Sequence, residues 1–480
     1  MLGNYVGGEF VEVDPSRERL DDRNPATGEL LASVPLSGAA EVEAAVAAAR
    51  AALPGWRATS PLVRARAVMR LREVLDAHRD ELARIVTTDM GKTLDDALGE
   101  VGRGIESVEH ACSTPVLIKG ENLEGIATGV DVELVRQPVG VVAAITPFNF
   151  PAMIPLWFLP FAVACGNPFI LKPSERDPRP SSRIFELAAE TGAFPPGVLN
   201  LVNGGRDAVE AILEHPGIDA ISFVGQASTA RLVATRSAET GKRVQALGGA
   251  KNSLIVMPDA DLDVSVPAIL ASAFGAAGQR CLAGSVLVAV GDRERQDEVR
   301  DVLAKAASEL VTGPGSADDT DVCPMVAPEA RERAERAIDD ALAAGDELIL
   351  DGRVGGGEPG TFLSPTIVET SNEEGDLARE ELFGPVLAFY RAPDLSSAID
   401  FANASRYGNA GSLFTTSGAA VREYRHSMEA GMLGINLGVP APVAWFPFSG
   451  WKDSIDGDLH ANGTDAVEFY TRKKVLTSRW

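Results

Sequence analysis

Cysteine and histidine are scarce in this sequence. Its 480 residues include four cysteines and five histidines, and neither type occurs at the short spacings of a zinc site or of a C-x-x-C motif. The sequence therefore predicts no bound metal and no disulfide framework. In a reducing compartment a cysteine is then either part of the apolar core or a reactive thiol. The cysteines are Cys112, Cys165, Cys281 and Cys323.

Positive charge is also in deficit. The 44 lysine and arginine residues face 68 aspartate and glutamate residues, which gives a formal net charge of −24. Phosphate backbones and anionic membranes attract basic surfaces, so this balance argues against binding to either. With 45% apolar and 23% charged residues, the composition is that of a globular protein large enough for two or three domains. We therefore expect a small-molecule ligand, with no nucleic-acid or membrane partner.

No apolar run is long enough to span a membrane. The most apolar stretch, Val139–Leu171, contains five prolines, whereas a membrane helix needs about 20 consecutive apolar residues. We interpret this stretch as buried strands and turns. The N-terminal residues lack a basic segment followed by an apolar one, so no secretion signal is predicted and we expect a cytoplasmic protein.

Periodic patterns indicate an α/β fold. Helical spacing of apolar residues covers 39–53, 62–87, 181–191, 207–215 and 227–240, and short apolar runs cover 139–146, 167–173, 197–203, 219–225 and 252–257. From residue 139 runs and helices alternate, which predicts a parallel sheet with helices on both faces. A second α/β block is predicted from Lys251 to Gly431. Ligands bind beyond the carboxyl ends of such strands, which makes candidates of Asn149, Lys172, Asn203 and Gly225.

Two segments lie outside these blocks. Pro115–Gln137 has the alternation of a hairpin, and residues 467–480 alternate like an exposed strand. Unpaired edge strands are prone to association. We therefore infer that a second subunit covers them and that the protein is a homo-oligomer, a dimer or a tetramer.

Two glycine-containing segments are candidates for a phosphate site. G-x-G-x-x-G occurs at Gly355, Gly357 and Gly360, but a strand pattern follows it, whereas a dinucleotide-binding loop precedes a helix. We interpret that segment as a surface turn. The better candidate is ISFVGQASTAR, in which Gly225 follows a predicted strand and a helix begins at Gln226. The first N–H groups of that helix are free to face a pyrophosphate.

Several motifs resemble those of the aldehyde dehydrogenase superfamily, from residue 24 to the C-terminus. In the order of that family they are TPFNFP at 146–151, GNPFILKPSE at 166–175, FVGQAS at 223–228, FGAAGQRC at 274–281 and EELFGPV at 380–386. The segment ALGGAKN at 246–252 and the ending EFYTRKKVLTSRW resemble the CoA-acylating methylmalonate- or malonate-semialdehyde dehydrogenases. The resemblance implies an α/β fold with a Rossmann-type NAD-binding domain (1–114 and 139–250), an α/β catalytic domain (251–440) and a small β oligomerisation arm (115–138 and 466–480).

The resemblance also assigns roles to residues. Cys281 corresponds to the nucleophile, whose thiolate adds to the aldehyde carbon, and Asn149 to the residue whose amide, with the N–H of Cys281, binds the oxyanion. Lys172 and Glu175 correspond to ligands of the adenosine ribose of NAD, and a carboxylate there favours NAD over NADP. The implied cofactor residues are Phe148, Lys172, Glu175, Arg176, Gly225, Gln226, Glu381 and Phe383. Gln226 stands where related enzymes commonly have a serine, which caps a helix better.

Substrate and acceptor follow from three further positions. Arg103 and Arg280 correspond to residues that hold the substrate carboxylate in the semialdehyde branch, a role that suits the planar guanidinium. Leu247 stands where hydrolytic relatives have a glutamate that activates water, and leucine cannot abstract a proton. Coenzyme A is therefore the expected acyl acceptor.

These observations predict one activity and leave alternatives open. The predicted reaction is NAD-dependent oxidation and decarboxylation of malonate semialdehyde or methylmalonate semialdehyde to acetyl-CoA or propionyl-CoA. One alternative is a dehydrogenase of another aldehyde that gives the free acid, or the acyl-CoA without decarboxylation. A non-catalytic structural relative is the other.

Overall fold

The structure, a computed structural model, describes residues 2–353 and 359–480. Gly355 and Gly357 of the predicted surface turn therefore lie outside the described residues. Gly360 lies in a bend with a φ of 83°, a conformation that glycine adopts without strain.

The described residues form strands and α-helices in alternation. The strands are β1 Asn4–Val6, β2 Glu9–Val11, β3 Arg19–Arg23, β4 Leu30–Pro35, β5 Glu121–Ala127, β6 Val130–Pro138, β7 Val142–Ile145, β8 Phe169–Lys172, β9 Leu199–Leu201, β10 Ala220–Val224, β11 Arg243–Leu247, β12 Asn252–Val256, β13 Gly284–Val290, β14 Glu347–Leu350, β15 Thr366–Glu369, β16 Val386–Ala392, β17 Tyr407–Gly408, β18 Ala410–Phe414, β19 Met432–Ile435, β20 Trp451–Lys452, β21 Ile455–Asp456 and β22 Thr471–Arg479. The helices are α1 Ala39–Ala58, α2 Pro61–Ala77, α3 Arg79–Met90, α4 Leu94–Ala111, α5 Thr114–Leu117, α6 Met153–Ala164, α7 Arg179–Glu190, α8 Arg206–Glu214, α9 Ala227–Glu239, α10 Leu262–Phe274, α11 Arg293–Ser308, α12 Pro328–Ala343, α13 Asp376–Arg379, α14 Leu395–Asn403, α15 Gly418–Ser427 and α16 Gly463–Phe469.

The predicted amphipathic helices are present, with one difference. The pattern over 62–87 is two helices, α2 and α3, which are separated at His78 because its φ of −110° and ψ of 19° are not helical. Helices α1, α7, α8 and α9 cover the other four predicted segments.

Five strands of the first sheet are parallel and lie in the order β9, β8, β7, β10 and β11. The first four follow predicted runs, whereas β11 was not predicted and the run predicted over 252–257 forms β12 of the second sheet. Antiparallel strands that the sequence analysis did not predict extend this sheet, with β1 and β2 on one side and β21 on the other. Successive side chains of β8 enter different apolar clusters, since Phe169 and Leu171 pack with α2, α4 and α6, whereas Ile170 packs with α1 and α8. The prediction of a parallel sheet with helices on both faces is confirmed.

The middle of the apolar stretch Val139–Leu171 is a helix, so its interpretation as strands and turns is wrong there. All residues of α6 are buried. A helix that is apolar on every side lacks the amphipathic period by which a sequence distinguishes helix from strand. Pro155 lies in the first turn, where its missing N–H leaves no hydrogen bond broken. Among the described residues no helix is both long and apolar enough to cross a bilayer.

The predicted second α/β block forms a sheet of seven strands. Its order is β14, β15, β16, β13, β12, β18 and β19. All neighbours pair in parallel except β14, which is antiparallel to β15. The chain passes from the first sheet to the second at residues 248–251, directly after β11.

The predicted hairpin and the C-terminal strand form one small sheet. β5 pairs with β6, and β22 pairs along the other edge of β6 from Thr471, opposite Pro138, to Arg479, opposite Val130. Residues 467–469 were predicted in the strand but end α16, where the buried pairs Ala466–Val467 and Phe469–Tyr470 follow helical and not alternating spacing. The outer edges of β5 and β22 have no strand partner among residues 2–353 and 359–480.

Candidate active site

Cys281 follows a strained turn between α10 and β13. Ala276 and Ala277 in this turn have φ values of 49° and 53°, which are unfavourable for residues with a Cβ atom. Gly278 also has a positive φ, and a Cβ there would lie 2.3 Å from the carbonyl oxygen of Gly384. Glycine is therefore required at this position, and the loop before Cys281 lies directly against the 380–386 segment.

Two asparagine side chains hold the main chain at Cys281. Nδ2 of Asn252 and Nδ2 of Asn409 donate to the carbonyl oxygen of Cys281 at 2.9 and 2.8 Å. Asn252 also donates to the carbonyl of Ala283 and accepts from the N–H of Ala410. Both asparagines are buried. These contacts fix the main chain from which the thiol projects.

Cys281 lies where two cavities meet. The first, of about 370 Å³, lies against α4 and contains Arg103 and Arg280; we name it the arginine cavity. The second, of about 400 Å³, contains Gly225 and Gly249; we name it the glycine cavity. Because Cys281 lines both, a molecule in either cavity can reach its sulfur.

Arg103 lies on α4 at the wall of the arginine cavity. Its Nη1 donates to Oε2 of Glu106 at 3.2 Å, and its Nη2 donates to the carbonyl of Ala441 at 3.1 Å. The side chain is 37% exposed. It is therefore oriented by the protein but still accessible from the cavity.

Arg280 precedes the nucleophile and is more deeply buried. Its Nη2 donates to the carbonyl oxygens of Ala271 and Ser272, and its Nη1 lies 4.0 Å from Oδ1 of Asp96. Its Nε is buried without a hydrogen-bond partner among the described residues. Since a guanidinium has five N–H donors, Arg280 retains donor capacity for an anion in the cavity.

Asn149 follows β7 and lines the glycine cavity together with Cys281. It is buried, and its main-chain carbonyl accepts a hydrogen bond of 2.7 Å from Nζ of Lys92. The protein thus holds Asn149 through its main chain, which leaves the side-chain amide available to the cavity. The predicted pair of Cys281 and Asn149 therefore lies on one cavity wall.

The glycine cavity contains the beginning of α9. Gly225 follows β10, and Gln226 is the N-cap residue, but no side chain caps this helix. Gly225, Gln226, Ala227 and Ser228 all line the cavity. The free N–H groups of the first turn and the positive end of the helix dipole suit an anionic group.

The 380–386 segment forms the facing wall of the glycine cavity. Phe383, with a φ of 57°, packs edge-to-face on Phe148 with ring centroids 5.8 Å apart. Glu381 accepts from the N–H of Ala250 at 3.1 Å, and a Cβ at Gly249 would lie 2.6 Å from its carboxylate. The motif EELFGPV thus presents an acid and an aromatic ring to one cavity.

The remaining predicted residues lie elsewhere. Lys172, at the end of β8, is buried and donates to Glu175 at 2.9 Å, and Arg176 is exposed. None of the three lines the described glycine cavity, although β8 lies beside β7 in the sheet. Asn203 is not part of the site, because its N–H and side-chain amide bind the N-terminal strand.

Comparison with known proteins identifies the family. The profile of the aldehyde dehydrogenase family matches residues 10–476. The chain belongs to the aldehyde dehydrogenase family. The resemblance predicted from the motifs is confirmed.

Relatives match this aldehyde dehydrogenase over its whole length. It is 48% identical to the malonate-semialdehyde dehydrogenase of Halalkalibacterium halodurans, over 100% of this chain and 98% of the relative. It is also 48% identical to malonate-semialdehyde dehydrogenase 2 of Geobacillus kaustophilus, over 100% and 99%.

Solved structures confirm the predicted fold class. The methylmalonate-semialdehyde dehydrogenase of Oceanimonas doudoroffii superposes with a TM-score of 0.96 at 43% identity, over 100% of this chain and 98% of that one. A protein from Sinorhizobium meliloti assigned to the same enzyme, in complex with NAD, superposes with a TM-score of 0.97 at 43% identity and the same coverage. The chain therefore has the aldehyde dehydrogenase fold.

Burial controls ionisation in this aldehyde dehydrogenase. Desolvation raises the pKa of Cys281 to about 12, and the Glu381 carboxylate adds to the rise. Desolvation also raises the pKa of Glu381 to about 7 and lowers the pKa of Lys251 to about 8. The thiol is therefore neutral at pH 7 in the free protein, and a thiolate requires a base or a positive charge beside it.

Leu247 lies inside the core. It ends β11 and is buried in the apolar cluster against which Cys281 packs. The position that the resemblance assigns to the base of hydrolytic relatives thus holds an apolar side chain in an apolar environment.

The sequence analysis gave no role to four residues that support this site. Asn252 lies inside the quoted ALGGAKN segment, but its contact with Cys281 was not predicted. Asn409 is 128 residues away from Cys281 in sequence, and Lys92 and Glu100 lie outside the predicted helical segments. The amide at the end of the ALGGAKN segment was the available signal.

The raised pKa of Cys281 predicts slow alkylation of the free enzyme at neutral pH. The thiolate is the reactive form, so with a pKa of about 12 the rate constant with iodoacetamide should rise about tenfold per pH unit from about pH 7 to pH 10. Mass spectrometry of the Cys281 peptide measures this rate. A plateau below pH 9 would contradict the expectation.

Glu381→Gln is the matched control for that measurement. It removes a negative charge that raises the pKa of Cys281, so alkylation above pH 7 should become faster. Below pH 7 the native Glu381 is itself protonated, since its pKa is about 7, and the two proteins should converge.

Proposed function

We propose that this protein is an NAD-dependent, CoA-acylating dehydrogenase that oxidises and decarboxylates malonate semialdehyde or methylmalonate semialdehyde. The observation that carries the proposal is a cavity with two arginines that ends at the Cys281 thiol. A substrate with an aldehyde at one end and a carboxylate at the other fits such a cavity, because guanidinium groups bind carboxylates through parallel N–H donors. The substrates named for the relatives are of this class.

The glycine cavity supports NAD as the oxidant. The uncapped start of α9 offers N–H groups to a pyrophosphate. We assign the nicotinamide ribose to Glu381, the aromatic wall to Phe148 and Phe383, and the adenosine ribose to Lys172 and Glu175. NAD, when bound, accepts a hydride from the substrate carbon. The structurally similar Sinorhizobium meliloti protein contains NAD.

Cys281 supplies the nucleophile. Its sulfur forms a bond to the aldehyde carbon, the thiol proton is released to solvent, and the carbonyl oxygen becomes an oxyanion. The Asn149 amide and the main-chain N–H of Cys281 donate to that oxygen. After loss of hydride from the carbon, the carbonyl is restored as a thioester.

The thioester then loses carbon dioxide. The bond to the carboxyl carbon breaks, and its electron pair forms an enolate whose oxygen occupies the position of the earlier oxyanion. Asn149 and the N–H of Cys281 stabilise this charge for the same reason as before. Protonation of the enolate carbon by water gives an acetyl or propionyl thioester.

Leu247 supports transfer of the acyl group to coenzyme A. Without a carboxylate at this position, water at the thioester lacks the base found in hydrolytic relatives. The coenzyme A thiolate attacks the thioester carbon, and the Cys281 thiolate leaves. The products are acetyl-CoA or propionyl-CoA and the free enzyme.

One observation favours a second candidate, a dehydrogenase that releases the free acid. Glu381 lines the glycine cavity beside Cys281, and its pKa of about 7 is suited to a general base. In that case Glu381 would activate water in place of the missing glutamate. Coenzyme A would then be unnecessary for turnover.

We also propose that the sheet of β5, β6 and β22 is an oligomerisation arm. Its two outer edges are free of partners among the described residues. Exposed apolar side chains accompany these edges, namely Leu123, Ile126, Val475, Leu476 and Trp480. Such edges and surfaces are typically covered by another subunit, in a dimer or a tetramer.

Replacing Cys281 with Ala should abolish NADH formation and leave NAD binding intact, because the cofactor residues are separate from the thiol. Asn149→Ala should weaken transition-state binding by about 2.7–4 kcal/mol. NADH absorbance and calorimetric NAD titration measure the two effects. Cys112→Ala, at another partly buried thiol, is the matched control and should retain activity; near-normal turnover of Cys281→Ala would refute the proposal.

Replacing Arg280 or Arg103 with Gln should weaken malonate semialdehyde selectively. For the more deeply buried Arg280, the loss in kcat/KM should correspond to roughly 2–5 kcal/mol of transition-state binding free energy. It should be smaller for Arg103, which is 37% exposed. Propanal, which has no carboxylate, is the control substrate in the same NADH assay. Equal losses on both substrates would indicate structural damage instead.

Without coenzyme A, the enzyme should form a burst of NADH equal to its active sites and then turn over slowly, because acyl release limits the rate. Adding coenzyme A should restore steady turnover. Leu247→Glu should raise the rate without coenzyme A by placing a carboxylate near the thioester. Rapid-mixing absorbance and product analysis measure both.

Full turnover of the unaltered enzyme without coenzyme A, with free acid as product, would contradict acyl transfer. Glu381→Gln then tests the second candidate. If Glu381 activates water, this variant should lose the coenzyme-independent turnover and, at saturating NAD, keep the burst.

A further inference from the structure

A fully buried ion pair contacts the main chain of Asn149 and lines the arginine cavity. Nζ of Lys92 is 2.6 Å from Oε2 of Glu100, and neither side chain is exposed. Lys92 follows α3, and Glu100 lies on α4. Neither residue has a role in the chemistry proposed above.

The pair binds the turn between β7 and α6 at both ends. Nζ of Lys92 donates to the carbonyl oxygen of Asn149 at 2.7 Å. Oε1 of Glu100 accepts from the N–H groups of Ala152 and Met153 at 2.8 and 3.1 Å. The ammonium group also lies 4.1 Å from the centre of the Phe150 ring. Every residue from 149 to 153 except the intervening proline is thus in contact with one of the two charges.

A gain in folding stability does not by itself explain why the protein has this buried ion pair. Two charges removed from water lose hydration, and apolar side chains of similar volume are often as stable in the same place. Here the hydrogen bonds of the pair are directed at main-chain groups of one short turn. That turn carries the amide to which we assign the oxyanion, and oxyanion stabilisation depends on the position of the donor.

We propose that Lys92 and Glu100 are positioning residues that hold the Asn149 amide in line with the oxyanion at Cys281. This inference rests on the role of Asn149 in the proposed function. Because the pair also lines the arginine cavity, propanal, which has no carboxylate, isolates the effect through the turn. With propanal, removal of the pair should slow the chemical step and leave substrate and NAD binding largely unchanged.

The test compares NADH burst rate constants in four proteins with malonate semialdehyde and with propanal. They are the unaltered enzyme, Asn149→Ala, the double variant Lys92→Met/Glu100→Gln, and the triple variant. The double variant removes both charges together, so neither is left buried alone, and Gln can still accept from the main chain. A misplaced group lowers rates by up to about 100-fold, so we expect a loss of about tenfold or more in the double variant. The triple variant should be no slower than Asn149→Ala, because residues that act through one group are not additive.

Further readouts separate positioning from general damage. The KM for propanal, the NAD affinity and the alkylation rate of Cys281 should stay within about twofold of the unaltered enzyme, since none depends on the oxyanion donor. Lys92→Arg, which keeps the charge and donors, should recover part of the burst rate. Lys242→Met is the matched control, because Lys242 is another buried lysine that donates to a carbonyl, that of Leu213; its burst rate should be normal.

The outcomes distinguish this inference from the proposed function. A normal burst in the double variant, with a slow burst in Asn149→Ala, would overturn the positioning role alone. A triple variant slower than Asn149→Ala by the full factor of the double variant would also overturn it. A normal burst in Asn149→Ala would instead overturn the role of Asn149 and the inference with it. If the double variant does not fold, Glu100→Gln alone gives the same comparison, with Lys92→Arg as the variant that keeps the contacts.

Discussion

Burial of the Cys281 thiol is the constraint on which the rest of the site depends. Removal from water raises the pKa of the thiol to about 12, so that only a small fraction of Cys281 is thiolate in the free protein at pH 7. A positive charge brought into the glycine cavity would lower this pKa, since opposite charges favour the ionised form. The reactivity of the Cys281 thiol is thereby linked to the charge of the group that occupies the glycine cavity. The asparagines that bind the Cys281 carbonyl fix where the thiolate forms.

The charge of the arginine cavity would affect both the binding of a substrate carboxylate and its loss as carbon dioxide. Arg103 donates to Glu106, and Arg280 lies beside Asp96. A substrate carboxylate in this cavity would therefore meet guanidinium groups whose charge is already partly neutralised by these acids. Decarboxylation withdraws charge from the carboxylate as the carbon bond breaks. Tight ion pairing would stabilise the starting state and slow that step, because only interactions stronger in the transition state accelerate a reaction. In the proposed function, partly paired arginines would orient the substrate without this penalty.

Local pattern predicted most elements, and motif resemblance predicted most of the site. Runs such as 219–225 showed the strand before Gly225, and FGAAGQRC indicated the nucleophile loop. The apolar pattern did not predict α6, because every side of that helix is apolar and no helical period exists. It also predicted a strand at residues 467–469, where a short helix ends. The contacts of Asn409 and of the Lys92–Glu100 pair join distant segments. No local rule predicts them, because they exist only once the two sheets and α4 are packed together.

The same burial that hinders the thiol also protects the thioester. Hydrolysis needs a water molecule and a base at the acyl carbon, and Leu247 and its apolar cluster exclude a carboxylate from that side. In the proposed reaction the thioester would persist in this setting long enough to lose carbon dioxide, a step that needs no base at the acyl carbon. A thiol acceptor then has an advantage over water, since a thiolate attacks without a positioned general base. In the proposed function, the apolar side chain of Leu247 therefore favours both decarboxylation before release and transfer to coenzyme A.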